Sequence, residues 1–416
     1  MNRKFDVGGL LKGYWGRAVM LSVMLFFVFV GDGILSDWVP SFIQDSVNSP
    51  LLMGIIISFS SLVGFGADLV FPQLLKHVKT RKVLLMAIGS SLVFCGVLLW
   101  SVAWPLVVLF LLAMGVWGIY YEFLGFGGQA FVSESVPITA RSGVWAVMSA
   151  FRSLAYFIGP ILGSYLALSK GDYWVVVSAI VCVALGYLIW VIMGRSNREP
   201  IVDEPAERVN LLKEIQHWWT LSERVWPVLA ISLMMGVVDA TYWTTGTVFS
   251  DNLAKQTWWG GLFLPLYTLP MVFVGVVIAR WGVYKGKKKL AEIFMLVSGL
   301  LLVMLGPSDS VVVALTVSLL VGTMLSVSWP LTDAVYSDIV SRMGSEGKHM
   351  VGLSGSTLSV AYIVGPILAG LISQFVGEKN TFVVMGTMMI LVSAILLAVT
   401  PKKIKLPQIE IKTWSN

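Results

Sequence analysis

Five ionisable side chains sit inside stretches of sequence that are otherwise almost wholly apolar: Asp32, Glu122, Arg152, Asp239 and Asp333. A charged side chain at bilayer depth costs about 2.5–3.5 kcal/mol on insertion scales, so each is a candidate functional group. A carboxyl held away from water can take a proton from one side of a membrane and release it to the other. It can also bind a cationic substrate and let it go on protonation. Arg152 can offset one of the acids, and Glu122, on the preceding apolar run, is its expected partner. Asp333 follows Pro330 by three residues and is also placed to cap backbone groups freed by that proline.

Aromatic side chains accompany these charges: Trp38, Tyr120, Tyr121, Tyr156, Tyr242, Trp243 and Trp329. Tyr and Trp stack on lipophilic or sugar-like ligands and face cations. Tyr121, Trp243 and Trp329 are favoured by their neighbours and join the acids as candidate substrate- or proton-binding residues. With 17 Trp in the chain, many must also serve interfacial belts.

The elements that position these groups are membrane spans. Of 416 residues, 57% are hydrophobic and 12% charged, and the mean hydropathy is +0.83; soluble domains carry about 25% charged residues. A bilayer core of about 30 Å needs roughly 20 apolar residues per helix. Twelve segments qualify, near 17–40, 51–72, 83–103, 105–131, 142–168, 173–194, 226–249, 257–280, 288–307, 310–337, 350–375 and 380–400. The first is too long, and too polar in its second half, for a cleaved leader.

Charge orients these spans. Of the 29 Lys and Arg residues, 25 fall on the side that holds both termini, 3 (Lys170, Lys255, Lys379) on the other, and Arg152 within a span. The positive-inside rule then places both termini in the cytoplasm of a cell membrane, plasma or inner. It also accounts for the net charge of +6 without a nucleic-acid partner. The two cysteines, Cys95 and Cys182, fall in apolar runs and read as small core residues.

The longest polar stretch, 195–225, reads as a cytoplasmic linker between an N-terminal six-helix half (1–194) and a C-terminal one (226–400), with a cytoplasmic tail at 401–416. Within the linker, Leu211, Leu212, Ile215, Trp218 and Trp219 recur at helical spacing opposite Lys213, Glu214 and His217. That pattern fits either an amphipathic helix in the membrane interface or a solvated helix packed on neighbouring loops.

The halves repeat. Ala155-Tyr156-Phe157-Ile158-Gly159-Pro160-Ile161-Leu162 returns 206 residues later as Ala361-Tyr362-Ile363-Val364-Gly365-Pro366-Ile367-Leu368. Asp32 maps near Asp239, and Ala130–Glu134 resembles Ala334–Asp338. Duplicated membrane halves are how many transporters are built, with substrate held where the repeats meet.

With twelve spans in a six-plus-six arrangement, basic loops after spans 2 and 8 and the doubled Gly-Pro signature, the chain resembles the major facilitator superfamily over essentially its full length. That superfamily's span 5 motif, Gly-x-x-x-Gly-Pro-x-x-Gly-Gly, is associated with antiporters and corresponds here to Ala155-x-x-x-Gly159-Pro160-x-x-Gly163-Ser164. Its loop motif is represented by Gly275-x-x-x-Ala279-Arg280-Trp281-Gly282 and a following basic run, with Ala279 at the usual acidic position. The arginine that drug–proton antiporters carry in span 4 has no counterpart in Ala113–Gly118.

The resemblance implies an all-α fold of two pseudo-symmetric halves, and a central cavity lined by spans 1, 4, 7 and 10. Those are the spans holding Asp32, Glu122, Asp239 and Asp333. Asp68, Glu134, Arg141, Arg280, Gly282 and Asp338 then read as motif or gating positions, with Glu134 and Asp338 near Arg141 and Arg342. Gly159, Pro160, Gly365 and Pro366 read as close-packing and helix-bending positions. Asp37 is expected near the outer mouth, in solvent.

The implied activity is secondary active transport, not enzymatic catalysis. Its first form is proton-coupled export of a small amphipathic or cationic organic molecule by a monomer in the lipid bilayer. Proton-coupled uptake of a sugar or other polar metabolite is the alternative, and a non-transporting membrane sensor is the reading of another class. No cofactor or metal is expected: His77, His217 and His349 all fall in segments read as cytoplasmic, and no span carries a His–Cys set.

Overall fold

In a computed structural model, residues 13–75, 78–137, 140–192, 211–281, 286–399 and 406 are described. These residues are helical almost throughout. The α-helices are α1 (Tyr14–Val47), α2 (Pro50–Leu74), α3 (Thr80–Ala103), α4 (Val107–Ser135), α5 (Arg141–Lys170), α6 (Asp172–Ile192), α7 (Leu211–Tyr242), α8 (Thr245–Gln256), α9 (Phe263–Trp281), α10 (Lys287–Val303), α11 (Val311–Met343), α12 (Gly347–Val376) and α13 (Glu378–Val399). Among the described residues, ten helices are long and apolar enough to cross a membrane, the run from Glu214 to Gln256 counted as one. The chain is an integral, multi-pass, all-α membrane protein.

Two compact units are present. One comprises Met1–Asn48 with Phe59–Asp203, the other Ser49–Ser58 with Glu204–Asn416. In the first, α1 is the central element, with a buried row that includes Met24, Val28, Ile34 and Trp38. It has close neighbours on two sides. A Cβ at Gly31 would lie 3.0 Å from the Ala179 carbonyl oxygen of α6, and one at Gly33 would lie 3.3 Å from Gly159 Cα of α5. Small residues are what allow helices to approach this closely in a membrane.

In the second unit, Tyr242, Phe249, Phe263, Tyr267 and Phe382 build an aromatic core. Tyr242 and Tyr267 stack at 3.8 Å with ring planes 7° apart. The same punctuation ends α5 and α12, 206 residues apart: Gly171 at φ 90° and Gly377 at φ 81°. That backbone region favours glycine because no Cβ is present to clash. An acid then opens each following helix, Asp172 and Glu378, where the helix dipole favours negative charge.

Two features depart from the sequence expectation. The amphipathic segment from Leu211 is not a separate element but the first part of α7, which runs on to Tyr242 through Pro227. Trp218, with Leu221 and Val225 of the following turns, packs with Tyr336, Met343, Met350 and Leu353, whereas Ile215 and Trp219 are exposed. The seventh span is also discontinuous, since α7 stops at Tyr242 and α8 resumes at Thr245. Hydroxyls take up carbonyls around the break, with Thr244 Oγ1 donating to the Ala240 oxygen at 2.7 Å and Thr247 Oγ1 to the Thr244 oxygen at 2.7 Å. Residues 195–210, Gly282 and the tail, apart from Leu406, lie outside the described residues.

Candidate functional site

Asp32 is buried on α1 and accepts three hydrogen bonds. Trp117 Nε1 donates to Oδ1 at 2.7 Å, and the hydroxyls of Tyr121 and Tyr156 donate to Oδ2 at 2.5 Å each. Those two hydroxyls are themselves 2.7 Å apart. Helical spacing explains the convergence. Trp117 and Tyr121 are four apart on α4 and share a face. Arg152, Tyr156, Gly159 and Gly163 recur at i, i+4, i+7 and i+11 on α5 and form one stripe.

That stripe is the side of α5 that meets α1. A Cβ at Gly159 would lie 2.8 Å from Gly33 backbone atoms, and one at Gly163 would lie 2.8 Å from the Ile34 carbonyl oxygen. The close approach beside Asp32 brings Tyr156, one turn earlier, within reach of its carboxylate. Hydrogen bonds to a charged group contribute about 1.5–3 kcal/mol each, so the three offset part of the cost of burying the carboxylate.

The second unit repeats the device. Asp239, buried on α7, accepts from the Tyr267 hydroxyl at 2.6 Å on Oδ1 and from the Tyr362 hydroxyl on Oδ2. Tyr362 is the signature tyrosine of α12, as Tyr156 is of α5. A Cβ at Gly365 would lie 2.7 Å from the Ala240 Cβ and 3.3 Å from Val237 Cα, so the signature glycine again packs beside the aspartate. Pro160 and Pro366 follow these glycines inside their helices. Each removes a ladder hydrogen bond and bends its helix there. The third partner is not repeated: Tyr267 comes from α9, whereas Trp117 and Tyr121 come from α4. Asp239 also stands one turn before the α7–α8 break, and its carbonyl accepts from the Trp243 N–H at 3.1 Å.

Other candidates are placed differently from expectation. Arg152 does not pair with Glu122. Its guanidinium lies over the Phe29 ring at 5.1 Å and the Tyr156 ring at 5.6 Å, where its charge acts on Asp32. Glu122 instead shares a hydrogen bond with Asp68, and its Oε1 would be 3.1 Å from a Cβ at Gly64. The reason is register. Glu122 is one residue past Tyr121, and on a helix that turns it from the Asp32 side toward α2. Asp68 is thereby a partner of Glu122.

Asp333 is exposed on α11; its carbonyl accepts from Ser337 Oγ at 3.0 Å, and among the described residues its carboxylate caps no backbone group after Pro330. Trp243 and Trp329 are half-buried against the core of the second unit. Asp37 is buried, contrary to its expected place in solvent, and Trp38 donates to Asp172 at 2.8 Å.

At the helix ends, Glu134 accepts from Thr80 Oγ1 at 2.7 Å, while Arg141 donates to the carbonyls of Ser133 and Val136. Asp338 pairs with Lys287 at 2.7 Å. In both units, then, the acid near the end of the fourth or tenth span binds the start of the third or ninth. Arg280 lies in α9. The residues that sequence reasoning did not assign to the site are Trp117, Tyr156, Tyr267 and Tyr362. Tyr156 and Tyr362 carried a signal, being the same position of the repeated signature.

Comparison with known proteins agrees with this architecture. Among solved structures, the human organic anion transporter MFSD10 (TETRAN) is 17% identical with a TM-score of 0.61, covering 91% of this chain and 98% of that one. The nucleoside transporter NupG is 12% identical with a TM-score of 0.69, covering 92% and 98%. A bacterial homolog of the human lysosomal transporter Spinster, in an inward-facing and unoccupied conformation, is 11% identical with a TM-score of 0.66, covering 92% and 96%. At these identities the likeness is one of fold. No curated protein matches the chain. The sequence profile of the Major Facilitator Superfamily matches residues 21–346 and 261–415, and the chain belongs to that superfamily of transporters.

Proposed function

We propose that this transporter is proton-coupled, with Asp32 and Asp239 as the groups that take up and release the coupling proton. The observation that carries the reading is the doubled carboxylate–tyrosine arrangement beside the signature glycines. Around Asp32, Oδ2 and the two tyrosine hydroxyls form a triangle with edges of 2.5, 2.5 and 2.7 Å. When Asp32 is ionised, the triangle holds two protons. A third, on Asp32, completes a ring in which each oxygen donates once and accepts once, because hydroxyls can reverse direction. Proton binding therefore needs only hydroxyl rotation, with no helix movement and no stranded polar atom. The break in the seventh span beside Asp239 supports the same reading, since transporter sites are commonly built on discontinuous helices.

The cargo we propose is a small amphipathic or cationic organic molecule, exported in exchange for protons that enter down their gradient, by a protein of the cell membrane with both termini in the cytoplasm. Aromatic side chains beside Asp32 (Phe29, Trp117, Tyr121 and Tyr156) support an amphipathic ligand. Uptake of a polar metabolite is the second reading. It is favoured by the saturation of Asp32 with three donors and a nearby guanidinium, which leaves that carboxylate little capacity for a cationic ligand.

The test is purified protein in liposomes with an internal pH dye. Substrates that are exported in exchange for protons will acidify or alkalinise the lumen according to the imposed substrate gradient, and Asp32→Asn will abolish the pH signal. Flux that ignores the pH gradient in the wild-type protein rules the reading out.

A further inference from the structure

The fold brings two neighbouring groups on one helix together with a third that the sequence keeps 135 residues away. Glu214 and His217 stand one turn apart near the start of α7, and His349 stands near the start of α12. One donor atom from each lies within 4.8 Å of the others. The His217 and His349 rings are 4.5 Å apart, at 70°. His349 Nδ1 is 2.8 Å from Glu214 Oε2, while its Nε2 is 3.1 Å from Glu346 Oε2. His349 and Glu346 are buried, and Glu214 and His217 half-buried, so the cluster is not a solvated charged face.

We propose that Glu214, His217 and His349 bind a divalent transition-metal ion of the zinc class. Two imidazoles and a carboxylate are a ligand set that suits zinc and its neighbours, leaving a fourth position for water. Four-coordinate zinc needs donor atoms about 3.4 Å apart at its usual bond lengths, so side-chain rotation of about an ångström closes the site. Glu346 completes the arrangement. It accepts the Nε2–H of His349, fixes the tautomer that leaves Nδ1 to ligate, and orients the ring, as carboxylates behind metal-binding histidines do. The carboxylates of Glu214 and Glu346 also outweigh the partial positive charge of about half a unit at the α12 N-terminus. The competing arrangement is a protonated His349 bridging the two glutamates with no ion at all.

Such a site has mechanical reach. The helices it would join, α7 and α12, are the pair that meet again at Asp239 and Tyr362. Each is one continuous helix from the cluster to that contact. A bound ion would hold their N-terminal ends together and resist any motion that separates Asp239 from Tyr362. The site is thus suited to slowing the transport cycle in response to metal.

The experiment uses the full chain in detergent with any affinity tag removed. Zinc is titrated against a chelating dye, and cobalt binding is followed by visible absorption. One zinc ion per chain is expected, with a raised thermal unfolding temperature. Cobalt should give the intense ligand-field bands of a four-coordinate site with nitrogen and oxygen donors, which needs no variant and so cannot be confused with misfolding. His217→Gln and His349→Gln should each abolish binding, Glu346→Gln should weaken it by about 10–100-fold, and His77→Gln should leave it unchanged. Absence of zinc binding by the folded protein, retention of binding in both His217→Gln and His349→Gln, or a thiolate-to-cobalt band placing the ion at a cysteine would each overturn the proposal.

Discussion

Gly159 lies against Gly33 so closely that a methyl group between them would sit 2.8 Å from backbone. The contact falls one residue past Asp32, and Tyr156 stands one turn before Gly159. Helix approach and hydrogen bond are therefore one structural event, and Gly365 beside Ala240 repeats it for Tyr362 and Asp239. A side chain at either glycine must push the helices apart and draw the tyrosine off its aspartate. Overpacking of this kind costs about 1–3 kcal/mol or more.

The first prediction follows directly. Gly159→Leu and Gly365→Leu will insert at wild-type levels but lose transport, and each will unfold at lower temperature in detergent. Alanine at the same positions will show the smaller effect. Liposome flux and thermal unfolding check this. Wild-type flux in both leucine variants would show that the close approach is dispensable.

The second prediction concerns Glu122. Because it shares its hydrogen bond with Asp68 and not with Arg152, a double-mutant cycle of Glu122→Ala with Asp68→Ala will show a coupling of about 0.5–3 kcal/mol in stability. The cycle of Glu122→Ala with Arg152→Ala will be additive within about 0.5 kcal/mol. A large coupling in the second cycle would return Arg152 to Glu122.

These two cases mark what was legible in the sequence. The spans, the repeat and the aspartates were readable because a bilayer imposes long apolar runs and duplication leaves residues at a constant offset. Hydropathy could not choose Arg152's partner. Tyr121 and Glu122 are adjacent, and only the rotational setting of α4 decides which faces α1. Tyr267 had no repeat counterpart, since Ser61 stands 206 residues before it. The amphipathic pattern at Leu211–Trp219 continues into α7, and of its described apolar residues only Trp218 packs on the protein, while Ile215 and Trp219 stay exposed. The sequence expectation of no metal set rested on the histidines lying outside the spans, and chain order cannot show that Glu214 and His349, 135 residues apart, come together.

The third prediction tests orientation. The 25-to-3 split of Lys and Arg predicts that residue 196 lies in the cytoplasm. On a Cys95→Ser, Cys182→Ser background, Ser196→Cys will be protected from an impermeant thiol reagent in intact cells and labelled after permeabilisation. Labelling from outside would invert the topology, and with it the direction of every proposed proton movement.

The last prediction separates proton carriage from binding. Asn at position 32 or 239 is nearly the shape of Asp and can still accept a hydrogen bond, but it cannot lose or gain the coupling proton. Asp32→Asn and Asp239→Asn will therefore abolish accumulation driven by a pH gradient. Exchange of labelled for unlabelled substrate needs no net proton transfer and will persist in at least one of them. The tyrosine variants Tyr156→Phe and Tyr362→Phe remove a donor but keep the acid, so they will slow gradient-driven transport while leaving its proton stoichiometry intact. Loss of both accumulation and exchange in both aspartate variants, with protein that still folds, would identify these acids as substrate ligands. Unchanged accumulation in both would remove them from coupling, and the role would pass to Glu122 or Asp333.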